Sequence, residues 1–244
     1  IDEPWAVDQL SFSVDYFNIE IEDVIAAVDA ATIVQRCFNR DGANPTYSLT
    51  NTWCQQFARD QDNGGVIQLQ QLSQNQAFIK TDGIDFTVNY GLVAGPGDLS
   101  FQLLTSWLNS WESQTTSVDP VFDYAGTIGS TTGSASPEWK VNLVTAYSWE
   151  NLRTQITGRY IDGMSHANVV TGGSPVTNTS VSAVTYWDLF ASYQLTPRLT
   201  LRAGVNNLFD QEPELYTPNV QANTDPSLYD ILGRRYFFGL NWAM

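Results

Sequence analysis

The stretch that decides the fold, residues 199–244, reads LTLRAGVNNLFDQEPELYTPNVQANTDPSLYDILGRRYFFGLNWAM. Apolar residues occupy every second position at both of its ends, and such alternation predicts two β-strands. The opposite face of both runs is polar or small, as at Arg202, Gly204, Arg235 and Gly239. Since such a face cannot form the dry inner layer of a soluble sandwich, we expect the apolar face to be the outside. Its members are Leu199, Leu201, Ala203, Val205, Tyr236, Phe238, Leu240, Trp242 and Met244.

The same alternation recurs upstream and predicts about eight strands in all. The earlier ones lie within residues 9–20, 83–92, 99–111, 139–149, 152–160 and 181–195. Their connections alternate between long loops and short turns, which is typical of outer-membrane barrels with extracellular loops and periplasmic turns. Residues 21–38 lose the period of two, and the spacing of Ile25, Val28 and Ala31 predicts a short amphipathic helix there.

The composition of the chain agrees with a membrane barrel. Charged residues make up 15% of its 244 residues, against about 25% in soluble domains. No apolar run approaches the 18 or so residues of a membrane helix. Strands of a membrane barrel give no such run, because lipid-facing and lumen-facing residues alternate along them. Aromatic residues fall near predicted strand ends, where headgroups favour them. They are Trp139, Trp149, Tyr160, Trp187, Tyr193 and Trp242.

The net charge of −15 restricts the partners of the protein. Phosphate backbones are bound by clustered Lys and Arg, and the chain has only 11 such residues. We therefore expect no nucleic-acid partner. The acidic surface serves either solubility or a field that favours cationic or metal-chelated ligands, and the sequence leaves both interpretations open.

Several motifs resemble the C-terminal part of TonB-dependent receptors, the large plugged barrels of the Gram-negative outer membrane. The match is carried by Asn206, Asn207, Leu208, Phe209 and Asp210, by Tyr229, Gly233, Arg234 and Tyr236, and by the phrases SVDYFNIEIEDVI and NQAFIKTDGIDFTVNY. The resemblance implies that residues 1–244 are one C-terminal barrel portion, with eight of about 22 strands. The plug domain is then absent from this chain.

The resemblance also implies a function, which is active uptake of a scarce nutrient. The implied partners are outer-membrane lipid, a small unknown ligand, and the TonB complex, which is engaged through the missing N-terminal region. The last eight residues resemble the signal that the barrel-assembly machinery binds, through Gly239, Trp242 and Met244, although the family usually ends on Phe or Trp. Plausible ligand contacts are aromatic residues of the loops, because aromatic rings give large contact areas. They are Trp53, Trp111, Phe122, Tyr124 and Tyr216. Packing within the loops or a place in the aromatic girdle is the alternative interpretation of the same residues.

Cys37 and Cys54 lie in one polar segment, without a further Cys or His at zinc-site spacing. A disulfide formed in an oxidising compartment is the favoured interpretation, and two buried thiols are the alternative.

Nothing in the sequence predicts an enzyme or a cofactor. The lone histidine, His166, has no candidate nucleophile nearby, and no catalytic or phosphate-binding motif occurs. The segment with Asp60, Asp62 and Asn63 is rich in oxygen ligands, but Gln71 stands where a calcium loop needs a bidentate Glu. We expect a solvated loop tip there.

Two other functions remain open at the level of the sequence. A self-contained small barrel with an adhesin or structural role predicts that the first and last strands pair. A soluble β-sandwich that binds carbohydrate predicts a protein that stays in solution without detergent.

Overall fold

The protein is an all-β structure in a computed structural model that describes residues 9–28, 30–40, 42–75, 78–114, 119–129, 135–172, 176–216 and 221–243. Two helices, α1 (Ala30–Cys37) and α2 (Ala167–Thr171), and two 3-10 turns, Cys54–Gln56 and Gln221–Asn223, accompany the strands. The strands are β1 (Gln9–Glu22), β2 (Ile25–Ala27), β3 (Phe57–Arg59), β4 (Val66–Leu69), β5 (Ser73–Asn75), β6 (Phe78–Ala94), β7 (Gly97–Gln114), β8 (Phe122–Asp123), β9 (Thr127–Ile128), β10 (Trp139–Trp149), β11 (Leu152–Ile161), β12 (Met164–His166), β13 (Ser180–Val181), β14 (Val184–Thr196), β15 (Leu199–Asn206) and β16 (Arg235–Trp242).

Eight long strands form one sheet in the order β1-β6-β7-β10-β11-β14-β15-β16, and β8 adds to β7. The pairs β7–β10, β10–β11, β11–β14, β14–β15 and β15–β16 are antiparallel. The predicted antiparallel sheet is therefore confirmed. Within the described residues, β1 and β16 are the two edges and do not pair with each other. The pairing that a closed small barrel requires is thus not seen in this part of the chain.

The predicted helix and one predicted strand differ from the sequence-based expectation. Ile25 does not lie in a helix, because β2 pairs with β5 and uses its backbone groups there. The helix begins later, at Ala30, and buries Ile33, Arg36 and Cys37. Residues 181–195 are not one strand, because Val181 belongs to β13 and pairs with Met164, whereas β14 begins at Val184.

One face of the sheet is apolar and exposed, as expected for a surface in lipid. On β16, Tyr236 is 73% and Phe238 is 70% exposed, and Leu201 and Leu240 face each other across β15 and β16. Trp139 and Trp149 mark the two ends of β10. Ten steps of about 3.3 Å at a tilt of about 40° cross about 25 Å, the height of the apolar band in outer-membrane barrels. None of the helices among the described residues is long and apolar enough to cross a membrane.

The chain divides into two compact units. The first, residues 1–19, 81–112 and 122–244, contains most of the sheet and a buried apolar core built from the long loops. The second, residues 20–80 and 113–121, contains α1, the pairs β2–β5 and β3–β4, and a disulfide.

Candidate functional site

The long loops of the first unit are joined by a small three-stranded sheet, in the order β13-β12-β9. β9 comes from the loop after β7, and β12 and β13 come from the loop after β11. Ser165 N donates to Gly126 O at 2.9 Å, and His166 N donates to Thr179 O at 2.8 Å. Because backbone hydrogen bonds tie segments of two loops together, these segments are preorganised rather than independent. We call the packed parts of these loops, residues 122–129, 161–186 and 207–230 where described, the loop platform.

A buried core holds the platform together. The loop after β15 contributes Tyr216 and Tyr229, which pack with Tyr186 at the start of β14. The other members are Ile128, Ile161, Met164, Val181 and Val184. Burial raises the pKa of the Tyr216 and Tyr229 hydroxyl groups above the ordinary value, so both phenols stay protonated over the physiological pH range. The platform is therefore a folded element with its own hydrophobic core.

His166 lies at the edge of this core and is a structural residue in the platform. Its Nδ1 accepts a hydrogen bond from Asn168 N at 3.1 Å, and its ring lies 6.1 Å from that of Tyr216. Gly129 has a φ of +74°, and a Cβ added there would lie 2.8 Å from His166 Nε2. Close packing thus requires glycine at this position.

The platform is expected to lose stability as the pH falls. Burial lowers the pKa of His166 below its ordinary value of 6.5, so the unfolded loop binds a proton more readily than the folded one. The stability that neutral His166 gives the platform is fully present above about pH 6.5 and is lost as the pH falls through the lower pKa of the folded state. Tyr216, the titratable ring in contact with it, stays neutral.

Hydrogen-exchange protection of platform amides, corrected for intrinsic rates, measures this effect between about pH 7.5 and about pH 5. The matched control is His166→Asn, which keeps an acceptor for Asn168 N at a cap position that favours Asn. The variant should have the same protection at both pH values. An equal pH dependence in the variant would contradict the prediction.

The residues of the Asn-Asn-Leu-Phe-Asp motif anchor the loop that follows β15. Asn207 is fully buried with a φ of +52°, and its side chain exchanges two hydrogen bonds with the backbone of Gln211. Asn207 N donates to Asp188 Oδ1 at 2.8 Å. Asp210 accepts from Arg234 N at 2.7 Å and pairs with its guanidinium at 3.6 Å. The motif therefore joins the two ends of the loop.

Three of the aromatic residues expected to contact ligand are brought together in the first unit. The Trp111 and Tyr124 rings lie 6.0 Å apart, and the Phe122 and Tyr124 rings lie 6.4 Å apart. Tyr124 is buried, whereas Trp111 and Phe122 are partly exposed. Tyr216 is separate from them and lies in the platform core.

Trp53 lies in the second unit, beside the disulfide loop. The Arg36 guanidinium lies 4.6 Å from its ring centroid and pairs with the Asp119 carboxylate. Asn44 is almost fully buried and donates to the carbonyl groups of Cys37 and Ser48. A cation–π contact and a buried amide thus hold this segment in one conformation.

The structure contains the predicted disulfide between Cys37 and Cys54. Replacing both cysteines by alanine is expected to lower the stability of the second unit by about 3 kcal/mol, because the bridge closes a loop of this length in the unfolded chain. The two residues are 17 positions apart. Limited proteolysis within residues 38–53 measures the effect. Reducing agent should sensitise the wild-type protein and leave the double variant unchanged, and a variant as resistant as oxidised wild type would contradict the prediction.

A cavity of about 470 Å³ lies on the polar face of the sheet in the first unit. Alternation and register place Lys140 and Asn142 of β10 and Arg159 of β11 on this face, with Asn142 directly opposite Arg159. Asp85 of β6 and Leu228 of the last loop also line the cavity. The cavity therefore lies between the sheet and the loop platform.

Arg159 connects this cavity to the loop anchor. Its Nε donates to Asp188 Oδ2 at 3.2 Å, and its guanidinium carbon lies 5.3 Å from the ring centroid of Tyr186. Asp188 in turn holds Asn207. The inward Arg153, Arg159 and Arg202 are recognisable from alternation, but the roles of Asp188 and Asn207 are not, since both depend on contacts between distant strands.

The oxygen-rich segment at residues 60–65 satisfies its own hydrogen bonds. Asp60 accepts from Asp62 N at 2.8 Å and from the Asn63 amide at 3.0 Å, and Asn63 accepts from Gly65 N. These contacts are those of an Asx-type turn. Over the described part of the chain, no group of three or more His, Cys, Asp or Glu residues could hold a metal ion.

The family model described as "TonB dependent receptor-like, beta-barrel" matches residues 1–208. No curated protein is significantly similar to the chain in sequence. Among solved structures, it is similar to the siderophore receptor PirA from Acinetobacter baumannii, at a TM-score of 0.53 and 14% identity. It is also similar to a mutant ferric enterobactin receptor from Pseudomonas aeruginosa (TM-score 0.59, 17%) and to the FrpB iron transporter from Neisseria meningitidis (TM-score 0.57, 16%).

These matches cover 96%, 98% and 96% of this chain and 30%, 30% and 29% of the respective receptors. The chain thus spans less than a third of the length of these solved structures, and at such identities the likeness shows the fold. The family match covers most of the chain and includes seven of the eight long strands. The chain therefore belongs to the TonB-dependent receptor family and is part of its outer-membrane β-barrel.

Proposed function

We propose that the protein is an active-transport receptor that binds a scarce nutrient at its extracellular loops and imports it with energy from the TonB system. The observation that carries the proposal is the loop platform, whose core joins the long loops above a lumen-facing cavity. A platform with a packed core can hold a ligand at low entropic cost, because its loops are ordered before binding. The work of import then comes from the TonB complex, which engages the plug segment of the receptor.

Two features support the outer-membrane part of this proposal. The exposed apolar face of the sheet fits lipid, and the terminal strand carries Gly239 and Trp242 at the spacing of the assembly signal. Met244, the last residue of that signal, lies outside the described residues. We propose that the barrel-assembly machinery binds this strand during insertion.

The similar solved structures are named as receptors or transporters of siderophores and iron. A ferric siderophore is therefore the first ligand to test. We propose that Trp111 and Phe122 contact it directly and that the buried Tyr124 and Tyr216 support the surface from below. The expectation that Trp53, which lies beside Arg36 in the second unit, contacts ligand stays a separate prediction.

The test measures uptake of iron-labelled siderophores by cells that carry or lack the gene, with and without a functional TonB protein. The proposal expects uptake that needs both the receptor and TonB. A Phe122→Ala, Trp111→Ala double variant should bind ligand more weakly while it is inserted at wild-type levels. Uptake of every tested nutrient that is unchanged by deletion of the gene would contradict the proposal.

A further inference from the structure

The lumen-facing cavity is lined by charged groups that make few contacts with other protein groups. The Lys140 ammonium is exposed and makes no hydrogen bond or ion pair with any described residue, and the same holds for the Asp85 carboxylate, which also lines the cavity. Arg159 donates to Asp188 only through its Nε, and its two Nη groups have no hydrogen-bond partner among the described residues. The Oδ1 atom of Asn142 is buried without a described donor. Charged groups of both signs, donors and acceptors without a protein partner among the described residues, therefore line a single space.

The register brings the donors close together. Asn142 lies directly opposite Arg159, and Lys140 lies opposite Ile161. Lys140 and Arg159 are thus diagonal neighbours on one face, with Cα atoms about 7–8 Å apart. The salt bridge to Asp188 and the stack on Tyr186 fix the plane of the guanidinium without occupying its outer edge. That edge is a fork of N–H donors that matches an oxyanion.

The acceptors limit which oxyanion fits. Asp85 repels a simple anion, but it can accept a hydrogen bond from a hydroxyl or amino group that the ligand carries beside its anionic end. Asn142 Oδ1 also needs a hydrogen-bond donor, because leaving a buried acceptor without a partner costs free energy. The volume of about 470 Å³ is that of a small-molecule site.

We infer that this cavity binds a small carboxylate that bears a neighbouring hydroxyl or amino group, such as a hydroxycarboxylate or an amino acid. Lys140 and the Nη groups of Arg159 bind the carboxylate, and Asp85 and Asn142 accept from the neighbouring donor. The inference rests on the proposed function only in taking the lumen as the path of the ligand. The ligand class follows from the chemistry of the wall.

The experiment is calorimetric titration of the protein, extracted from outer membranes into detergent, with malate and with succinate. The two probes differ by one hydroxyl group, so their ratio tests the acceptors. Malate should bind about tenfold more tightly than succinate, and Asp85→Asn should remove most of this preference, since a hydrogen bond to a charged group changes binding by about that factor. Succinate binding as tight as malate binding would overturn the inference.

The donors are tested by Lys140→Met, which keeps the length of the side chain. This variant should weaken malate binding about tenfold. Arg153→Met is the matched control, because Arg153 also lies on the polar face of β11 but lines a different cavity. Equal weakening in both variants would mean a general electrostatic attraction and would overturn the site.

Absence of binding is also decisive. If neither probe binds, the inference is wrong, and a lower unfolding temperature of Lys140→Met would then indicate that a carboxylate of the receptor's own polypeptide pairs with Lys140. This experiment needs neither TonB nor transport, so a negative result does not contradict the uptake proposal, which is tested separately. Failure of uptake with malate binding intact would in turn leave the site standing.

Discussion

Ile156→Arg is expected to destabilise the inserted barrel by about 2–4 kcal/mol, the cost of an arginine at the bilayer midplane on the lipid face of a barrel. Ile156 is 46% exposed on the apolar face and pairs with Thr145, next to the midpoint of β10. The aromatic ends of β10 at Trp139 and Trp149 therefore place it near the centre of the membrane. Urea unfolding in lipid vesicles measures the loss.

The control is Gln155→Arg, one position earlier on the same strand. Gln155 points to the polar face, where its amide donates to Thr157 Oγ1 at 3.2 Å. Both variants place the same charge at the same depth, so the difference between them isolates the lipid contact. Equal destabilisation by the two variants would contradict the assignment of the apolar face to lipid.

The assignment of faces is the part of the fold that the sequence predicts best. In β10, β11, β15 and β16, alternation indicates both the strands and the side of each residue, because the period of two is set by the backbone itself. The hairpin from Trp139 to Tyr160 turns at Glu150 and Asn151, between the strands predicted within residues 139–149 and 152–160. Local pattern is sufficient wherever a strand pairs with its neighbour in the sequence.

The loops show where local pattern fails. β9 pairs in parallel with β12, although nearly 40 residues separate them along the chain, and neither has enough length to show alternation. Ile25 has helical spacing, yet its backbone pairs with Asn75 in β5. Such contacts are chosen by tertiary packing, which overrides a weak local preference. The platform core could therefore not be predicted from the sequence.

The candidate site divides in the same way. Lys140 and Arg159 are recognisable as inward residues because they interrupt apolar strands at regular positions. The cavity that they share depends on the fold of the last loop, which brings Leu228 over the wall. The aromatic residues expected to bind ligand illustrate the limit, since two of them, Tyr124 and Tyr216, are buried. Residue type alone does not distinguish a binding aromatic from a supporting one.

Tyr229→Ala is expected to lower the stability of the loop platform by about 3–5 kcal/mol, the range for removing a large buried ring. Tyr229 is 3% exposed and packs in the core with Tyr186 and Tyr216. Its loss leaves a cavity at the point where the last loop joins the other two. Protection of platform amides from exchange should fall accordingly, while the protection of β10 and β11 stays unchanged.

Tyr229→Phe separates the ring from its hydroxyl group. The hydroxyl oxygen is buried and has no hydrogen-bond partner among the described residues, and an apolar replacement of an unsatisfied polar group is nearly neutral or stabilising. We therefore expect a change of less than about 1 kcal/mol, with platform protection equal to or above that of wild type. A loss as large as that of the alanine variant would show that the hydroxyl is bonded in the intact receptor, and packing would no longer account for this motif residue. A small change assigns the stability of the loop to the ring, which then anchors the last loop over the cavity by burial alone.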